Sequence, residues 1–160
     1  MPDLSHDRLR DRARGALLGL AVGDALGTTL EFTAKDSSAP LTDMVGGGPF
    51  RLKPGEWTDD TSMALALAES LLANPDLDEE DLMTRFCAWA EEGTYSHTGR
   101  CFDIGMTVRS ALSDFRRTGN PVAGSRDPRS AGNGSLMRLA PVPIRFALEP
   151  GKRADVARRQ

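Results

Sequence analysis

Residues 57–73, WTDDTSMALALAESLLA, set an acidic, hydroxyl-rich start against an apolar run with helical spacing. Ala64, Leu67, Ala68 and Leu71 recur at three- and four-residue intervals, which predicts a helix over Asp59 to Ala73 with one buried face, stopped by Asn74 and Pro75. Downstream, Asp78 reads as an N-cap, with Asp81 three residues on. It opens a helix whose inner face is Leu82, Phe86, Trp89 and Ala90, with Cys87 at the edge of the core. Ile104, Val108, Ala111, Leu112 and Phe115 mark a further helix ending near Thr118 to Asn120. Upstream, Leu9, Ala13, Ala16, Leu17, Leu20 and Ala21 place residues from Leu4 to Leu26 on an amphipathic helix. No stretch alternates as a strand does, so the expected class is all-α.

The connections carry the unusual residues. Between Thr28 and Trp57 helical periodicity is lost, and Gly46, Gly47, Gly48, Pro49, Pro54 and Gly55 punctuate a long loop. Pro121 to Gly134 is a second loop. Leu136 to Ala140 makes a short helical piece that Pro141 and Pro143 interrupt, and Arg153 to Gln160 starts another helix. Such long loops are where function usually concentrates, and they are expected to gather on one side of the domain.

At 160 residues the chain can bury about 70% of its unfolded surface. Its 20 basic and 23 acidic residues leave no broad positive field for nucleic acid or an anionic membrane. The apolar run from Ala16 to Ala25 is broken by Gly19, Gly23 and Asp24, too short and too interrupted to span a bilayer. Two cysteines outside any CxxC pair and a charged N-terminus unlike a signal peptide point to a cytoplasmic protein.

Four local features bear on chemistry. In Thr58, Asp59, Asp60 and Thr61, acids at a helix start serve ordinary capping and complement the dipole. Yet Asp60 is in register with Ala64, Leu67 and Leu71, and the helix has no Lys or Arg to offset it. A hard divalent cation, Mg²⁺, Mn²⁺ or Ca²⁺, suits this oxygen set better than zinc. Asp24 and Glu31 lie near the C-terminal end of the first helix, where the dipole disfavours negative charge, which suggests a local use; a solvated loop glutamate is the alternative for Glu31. Gly15, Gly19, Gly23 and Gly27 form a slanted bare groove, for close helix packing or for backbone access by a ligand. Residues 130–135, SAGNGS, are either plain loop or a turn whose backbone N–H groups face an anion.

In order, residues 15–32 (GALLGLAVGDALGTTLEF), 46–71 (GGGPFRLKPGEWTDDTSMALALAESL), 102–112 (FDIGMTVRSAL) and 130–142 (SAGNGSLMRLAPV) resemble the ADP-ribosylglycohydrolase family, which includes the dinitrogenase reductase-activating glycohydrolases of bacteria. The resemblance implies an orthogonal multi-helical fold, with residues 1–160 forming the N-terminal part of a single domain. It implies hydrolysis of the glycosidic bond between ADP-ribose and a modified protein side chain, using two Mg²⁺ or Mn²⁺ ions. By position it makes Thr58, Asp59 and Asp60 metal ligands, with Asp60 and Glu31 catalytic. Asp103, Ser130, Gly132, Asn133 and Gly134 would bind substrate.

Family members complete the metal site with a second acidic cluster far toward the C-terminus, and none follows Val142 here. The expectation is therefore a truncated chain with half of the ligand set, prone to self-association or to pairing with a complementing C-terminal fragment. Its alternative function is a non-catalytic ADP-ribose-binding module or an inactive fragment of the enzyme.

Overall fold

The structure, a computed structural model, describes residues 5–160. Helix α1 spans His6–Gly27, α2 Asp59–Ala73, α3 Glu79–Glu92 and α4 Met106–Thr118. The short α5 (Gly134–Met137) and α6 (Pro141–Arg145) follow, and then α7 (Pro150–Arg159). Among the described residues there is no strand, only an isolated antiparallel bridge between Gly47 and Leu52. The all-α expectation holds. By internal contacts the chain divides between Trp57 and Thr58 into two units.

In the first unit, α1 starts at His6, and Leu4 lies outside the described residues. Leu9, Ala13, Leu20 and Ala21 are partly buried and Ala25 is buried, while Leu18 and Val22 are exposed. A Cβ built at any of the four α1 glycines meets no atom within 4 Å, so no helix packs into that groove among the described residues. The helix tightens into a 3₁₀ turn at Thr28–Leu30. Within that turn the Thr29 hydroxyl donates to the Gly46 carbonyl at 3.0 Å, tying the turn to the glycine run of the loop.

In the second unit, α2 is central, packing against α3, α5 and α6. Its bounds are those predicted from the sequence. Ala64, Leu67 and Leu71 are buried as expected and Ala68 only partly, and the buried surface extends further, with Met63 and Ala66 fully enclosed and Ser62 and Ser70 buried. A helix contacted on several sides buries more than one stripe, so apolar periodicity alone under-reads it.

Helix α3 begins as expected: the Asp78 carboxylate accepts from the backbone N–H groups of Glu80 (3.0 Å) and Asp81 (3.1 Å). Asp78→Ala removes that acceptor and should cost about 1 kcal/mol, read from the urea midpoint. At the other end, Gly93 has φ +75° and its N–H donates to the Trp89 carbonyl, while Thr94 N–H reaches Ala88. An added Cβ at Gly93 runs into the backbone of Gly99 and Arg100. Gly93→Ala should therefore destabilise by about 2 kcal/mol or more, the left-handed penalty plus displacement of that loop, measurable by the same titration.

Two sequence readings need correction. Cys87 is not at the core's edge: it is 1% exposed, beside Phe86 and Trp89 in the core. Pro141 does not interrupt a helix but opens α6, because a first-turn proline loses no intrahelical hydrogen bond and arrives with φ already helical. Val142 and Phe146 are consequently fully buried, and Val156 of α7 joins the same core.

Candidate functional site

Thr58 occupies the N-cap position of α2 but makes no side-chain capping hydrogen bond to that helix, in contrast to Asp78 on α3. The hydroxyl of Thr58 is thus not used as an ordinary cap. Thr58 and Asp59 are buried and Asp60 partly so. The sequence singled out Asp60 as the inward-facing acid, but Asp59 lies deeper. The reason is register: Ser62, Met63 and Ala66, three, four and seven residues on from Asp59, line the more enclosed face of α2.

Asp103 lies three residues before α4, in left-handed backbone with φ 57°. Aspartate tolerates this conformation better than most residues, at a modest cost that directs its side chain locally. Burial pushes the thiol pKa of the adjacent Cys101 up. Arg109 opposes that shift, and the carboxylates of Asp59 and Asp103 reinforce it. The start of α2 and the segment leading into α4 therefore share one electrostatic environment, centred on Cys101, that sequence spacing does not reveal.

The 130–134 loop reaches the same end of α4. The Thr107 hydroxyl, in the first turn of α4, donates to the Ser130 carbonyl at 3.5 Å, and Gly132 N–H donates to that carbonyl at 2.9 Å. A Cβ at Gly134 would stand 3.1 Å from Val108 Cγ2, so the glycine lets the loop sit directly on α4. Gly132 and Asn133 remain exposed and Ser130 is partly buried. The second unit thus gathers Asp103, Ser130, Gly132, Asn133 and Gly134 at the N-terminal end of α4, with Asp59 in electrostatic reach. Glu31 belongs to the first unit, where it ends the 3₁₀ turn, partly buried, its N–H donating to Thr28 O at 3.2 Å.

Among the described residues no group of three or more His, Cys, Asp and Glu side chains is placed to hold a metal ion by itself. What the start of α2 offers is a hydroxyl and two carboxylates in succession, at least two of the three residues withdrawn from solvent. That donor chemistry fits a hard divalent cation, as part of a larger ligand set.

The fold and these residues define a helical domain with an acidic, oxygen-rich corner beside a small-residue loop. The family model for ADP-ribosylglycohydrolase matches residues 5–160, and the chain belongs to that family. It is similar to the ADP-ribosylarginine hydrolase Tri1 of Pseudomonas putida (strain GB-1), 52% identical over 141 residues covering 88% of this chain and 38% of the relative. It is also similar to the ADP-ribosyl-[dinitrogen reductase] glycohydrolase of Rhodospirillum rubrum, 42% identical over 140 residues, with 85% of this chain and 45% of the relative covered. A solved structure, an ADP-ribosylglycohydrolase-related protein complex, superposes with a TM-score of 0.81 at 44% identity, covering 96% of this chain and 48% of that one. The chain spans less than half the length of each of these relatives. No described helix is long and apolar enough to cross a membrane.

Proposed function

We propose that this chain carries part of the site of a metal-dependent ADP-ribosyl hydrolase, one that cleaves the glycosidic bond between ADP-ribose and a modified protein side chain. The observation that carries this reading is the start of α2 in a chain of this family: an N-cap threonine that does not cap, followed by one buried and one partly buried carboxylate.

Thr58, Asp59 and Asp60 would hold a pair of Mg²⁺ or Mn²⁺ ions, which when bound supply Lewis acidity and an activated water. Cleaving at the anomeric carbon of ribose builds oxocarbenium character, so negative charge and positioned oxygens around the sugar lower the barrier. Asp103 and the loop of Ser130, Gly132, Asn133 and Gly134 hold the ADP-ribose. Glu31 takes or returns the proton during the displacement.

A non-catalytic ADP-ribose-binding module is the second reading, favoured because Asp103 and the 130–134 loop are all gathered within one unit of this chain. The test is ADP-ribose release from an ADP-ribosylarginine protein, with Mn²⁺ or Mg²⁺ and with a chelator. It is run on the chain alone and on the chain joined to the part of the Pseudomonas putida relative that it does not match. Metal-dependent release in either preparation supports the hydrolase. Affinity for ADP-ribose without release in both supports the binding module.

A further inference from the structure

Residues 93–105, the connection from α3 to α4, carry two non-glycine residues in left-handed backbone, Tyr95 at φ 71° and Asp103 at φ 57°. An aspartate tolerates this conformation. For an aromatic side chain it is costly and persists only where the surroundings impose it. The tyrosine hydroxyl supplies the constraint: it donates to Glu69 Oε2 of α2 at 2.9 Å and accepts from Arg85 Nη1 of α3 at 3.2 Å. Arg85 is itself fixed, its Nη1 reaching the same Glu69 oxygen at 3.1 Å and its Nε donating to Asp81 at 2.8 Å. Burial pushes the phenol pKa up, so the hydroxyl stays protonated and able to donate.

This cluster adds little to the hold of α2 on α3. The Glu69 side chain is 58% exposed, and ion pairs of that kind contribute little to stability, whereas the two helices already share the core through Leu67, Leu71, Leu82 and Phe86. The hydroxyl instead fixes the connection. Beyond Tyr95 the turn closes on itself: the Ser96 and Thr98 hydroxyls lie 2.8 Å apart, and Thr98 donates to the Arg100 carbonyl at 2.9 Å. The same turn rests on Gly93, where an added Cβ would meet the backbone of Gly99 and Arg100. Tyr95 and Cys101 both pack against the core from partly buried positions. A turn tied in this way moves as one piece, so a shift at Tyr95 is carried to Cys101 and from there to Asp103, two residues on.

We propose that Tyr95 is a positioning residue: its hydroxyl, shared between α2 and α3, holds the 93–105 connection in the conformation that presents Asp103 to ADP-ribose. The inference rests on the reading of Asp103 as a substrate contact. Tyr95 acts through Asp103 and not on the substrate itself, so removing its hydroxyl alone should reproduce part of the loss caused by neutralising Asp103.

The test is ADP-ribose affinity by calorimetry with Mn²⁺ present, for Tyr95→Phe, Asp103→Asn and the double variant. It is run on the chain alone and on the chain joined to the unmatched part of the Pseudomonas putida relative. Tyr95→Phe keeps the ring and both ion pairs of Arg85, so folding should be retained. Its dissociation constant should rise about fivefold to tenfold, the effect of losing one hydrogen bond to a charged group. The double variant should bind no more weakly than Asp103→Asn, because two residues on one path do not add. Cys101 reports on the connection directly. Its alkylation by iodoacetamide, read by mass spectrometry, should quicken severalfold in Tyr95→Phe, while that of Cys87, 1% exposed, stays slow unless the whole unit opens.

Unchanged affinity in Tyr95→Phe beside a loss in Asp103→Asn would overturn the inference and leave the functional reading standing. So would losses that add in the double variant, which put Tyr95 on a separate path, or Cys101 alkylation that does not change. No effect of Asp103→Asn, or no binding of ADP-ribose by either preparation, would remove the reading of Asp103 and this inference with it.

Discussion

Asp60→Asn is expected to lower the affinity of the protein for Mn²⁺ at least about tenfold, and to cut ADP-ribose release by about two orders of magnitude or more in whichever preparation shows it. The substitution keeps the size of the side chain and leaves a neutral oxygen in place, so what it removes is charge. If the acids at the start of α2 serve only the helix, the same change should act on stability alone. Losing a carboxylate from a helix N-terminus costs about 0.3 to 1 kcal/mol, and metal affinity would not move. The two accounts therefore separate on two instruments. Electron paramagnetic resonance of free Mn²⁺ reports the affinity, and a urea titration by circular dichroism reports the stability. Full metal-dependent turnover in Asp60→Asn would remove the proposed role.

The contrast between α2 and α3 explains why this prediction is worth separating from capping. Both helices open with acids, and from sequence either Asp78 or the Thr58–Asp60 run reads as an N-cap. The structure uses Asp78 in that way, accepting two backbone N–H groups, and does not use Thr58 so. This distinction rests on side-chain orientation, which local composition does not encode.

Much of the fold was legible because its signals are local. Asp59 and Asn74–Pro75 bracket α2, Asp78 opens α3, and the apolar spacing of Leu112 and Phe115 marks the inner face of α4. Where several residues compete for one interpretation, local signals fail. Pro141 reads as a breaker until its place in the first turn of α6 is known, and the burial of Ser62 and Ser70 depends on how many elements pack around α2.

The candidate site divides along the same line. Thr58, Asp59, Asp60, Glu31 and the 130–134 loop are visible as motifs. The environment shared by Asp59, Cys101 and Asp103, the Thr107 tether to Ser130, and the stacking of Arg138 over Phe86 are long-range facts. Met137–Arg138 follows the loop in sequence, but nothing in that order announces that the guanidinium will lie over Phe86, some fifty residues earlier in the chain.

Trp89→Ala should be the most damaging single change to the Thr58–Gln160 unit, costing about 3 to 5 kcal/mol. Trp89 is among its largest side chains with almost no exposed surface, and it sits in the cluster that joins Leu67 and Leu71 of α2, Phe86 of α3 and Leu112 of α4. Alanine removes the apolar burial and leaves a void that flanking helices can close only in part, since α3 is held by the Asp78 cap at one end and by Gly93 at the other.

Domains of this size are typically stable by about 5 to 15 kcal/mol, so the loss takes a large share of the margin. With a urea slope of about 1.5 kcal/mol per molar, the midpoint should fall by about 2 to 3 M. Circular dichroism at 222 nm is the suitable probe, because the substitution removes one of the two tryptophans. Leu72→Ala, at a side chain 80% exposed on α2, is the matched control and should stay within about 0.5 kcal/mol of the unaltered chain. Equal midpoints for the two variants would mean that Trp89 is not packed as described. The consequence for function runs through α3: the helix that Trp89 anchors also presents Phe86 to the Arg138 guanidinium and packs against α2, whose first turn carries Asp59 and Asp60. Loss of Mn²⁺ affinity in Trp89→Ala should therefore track the fraction unfolded, while in Asp60→Asn it should appear in fully folded protein.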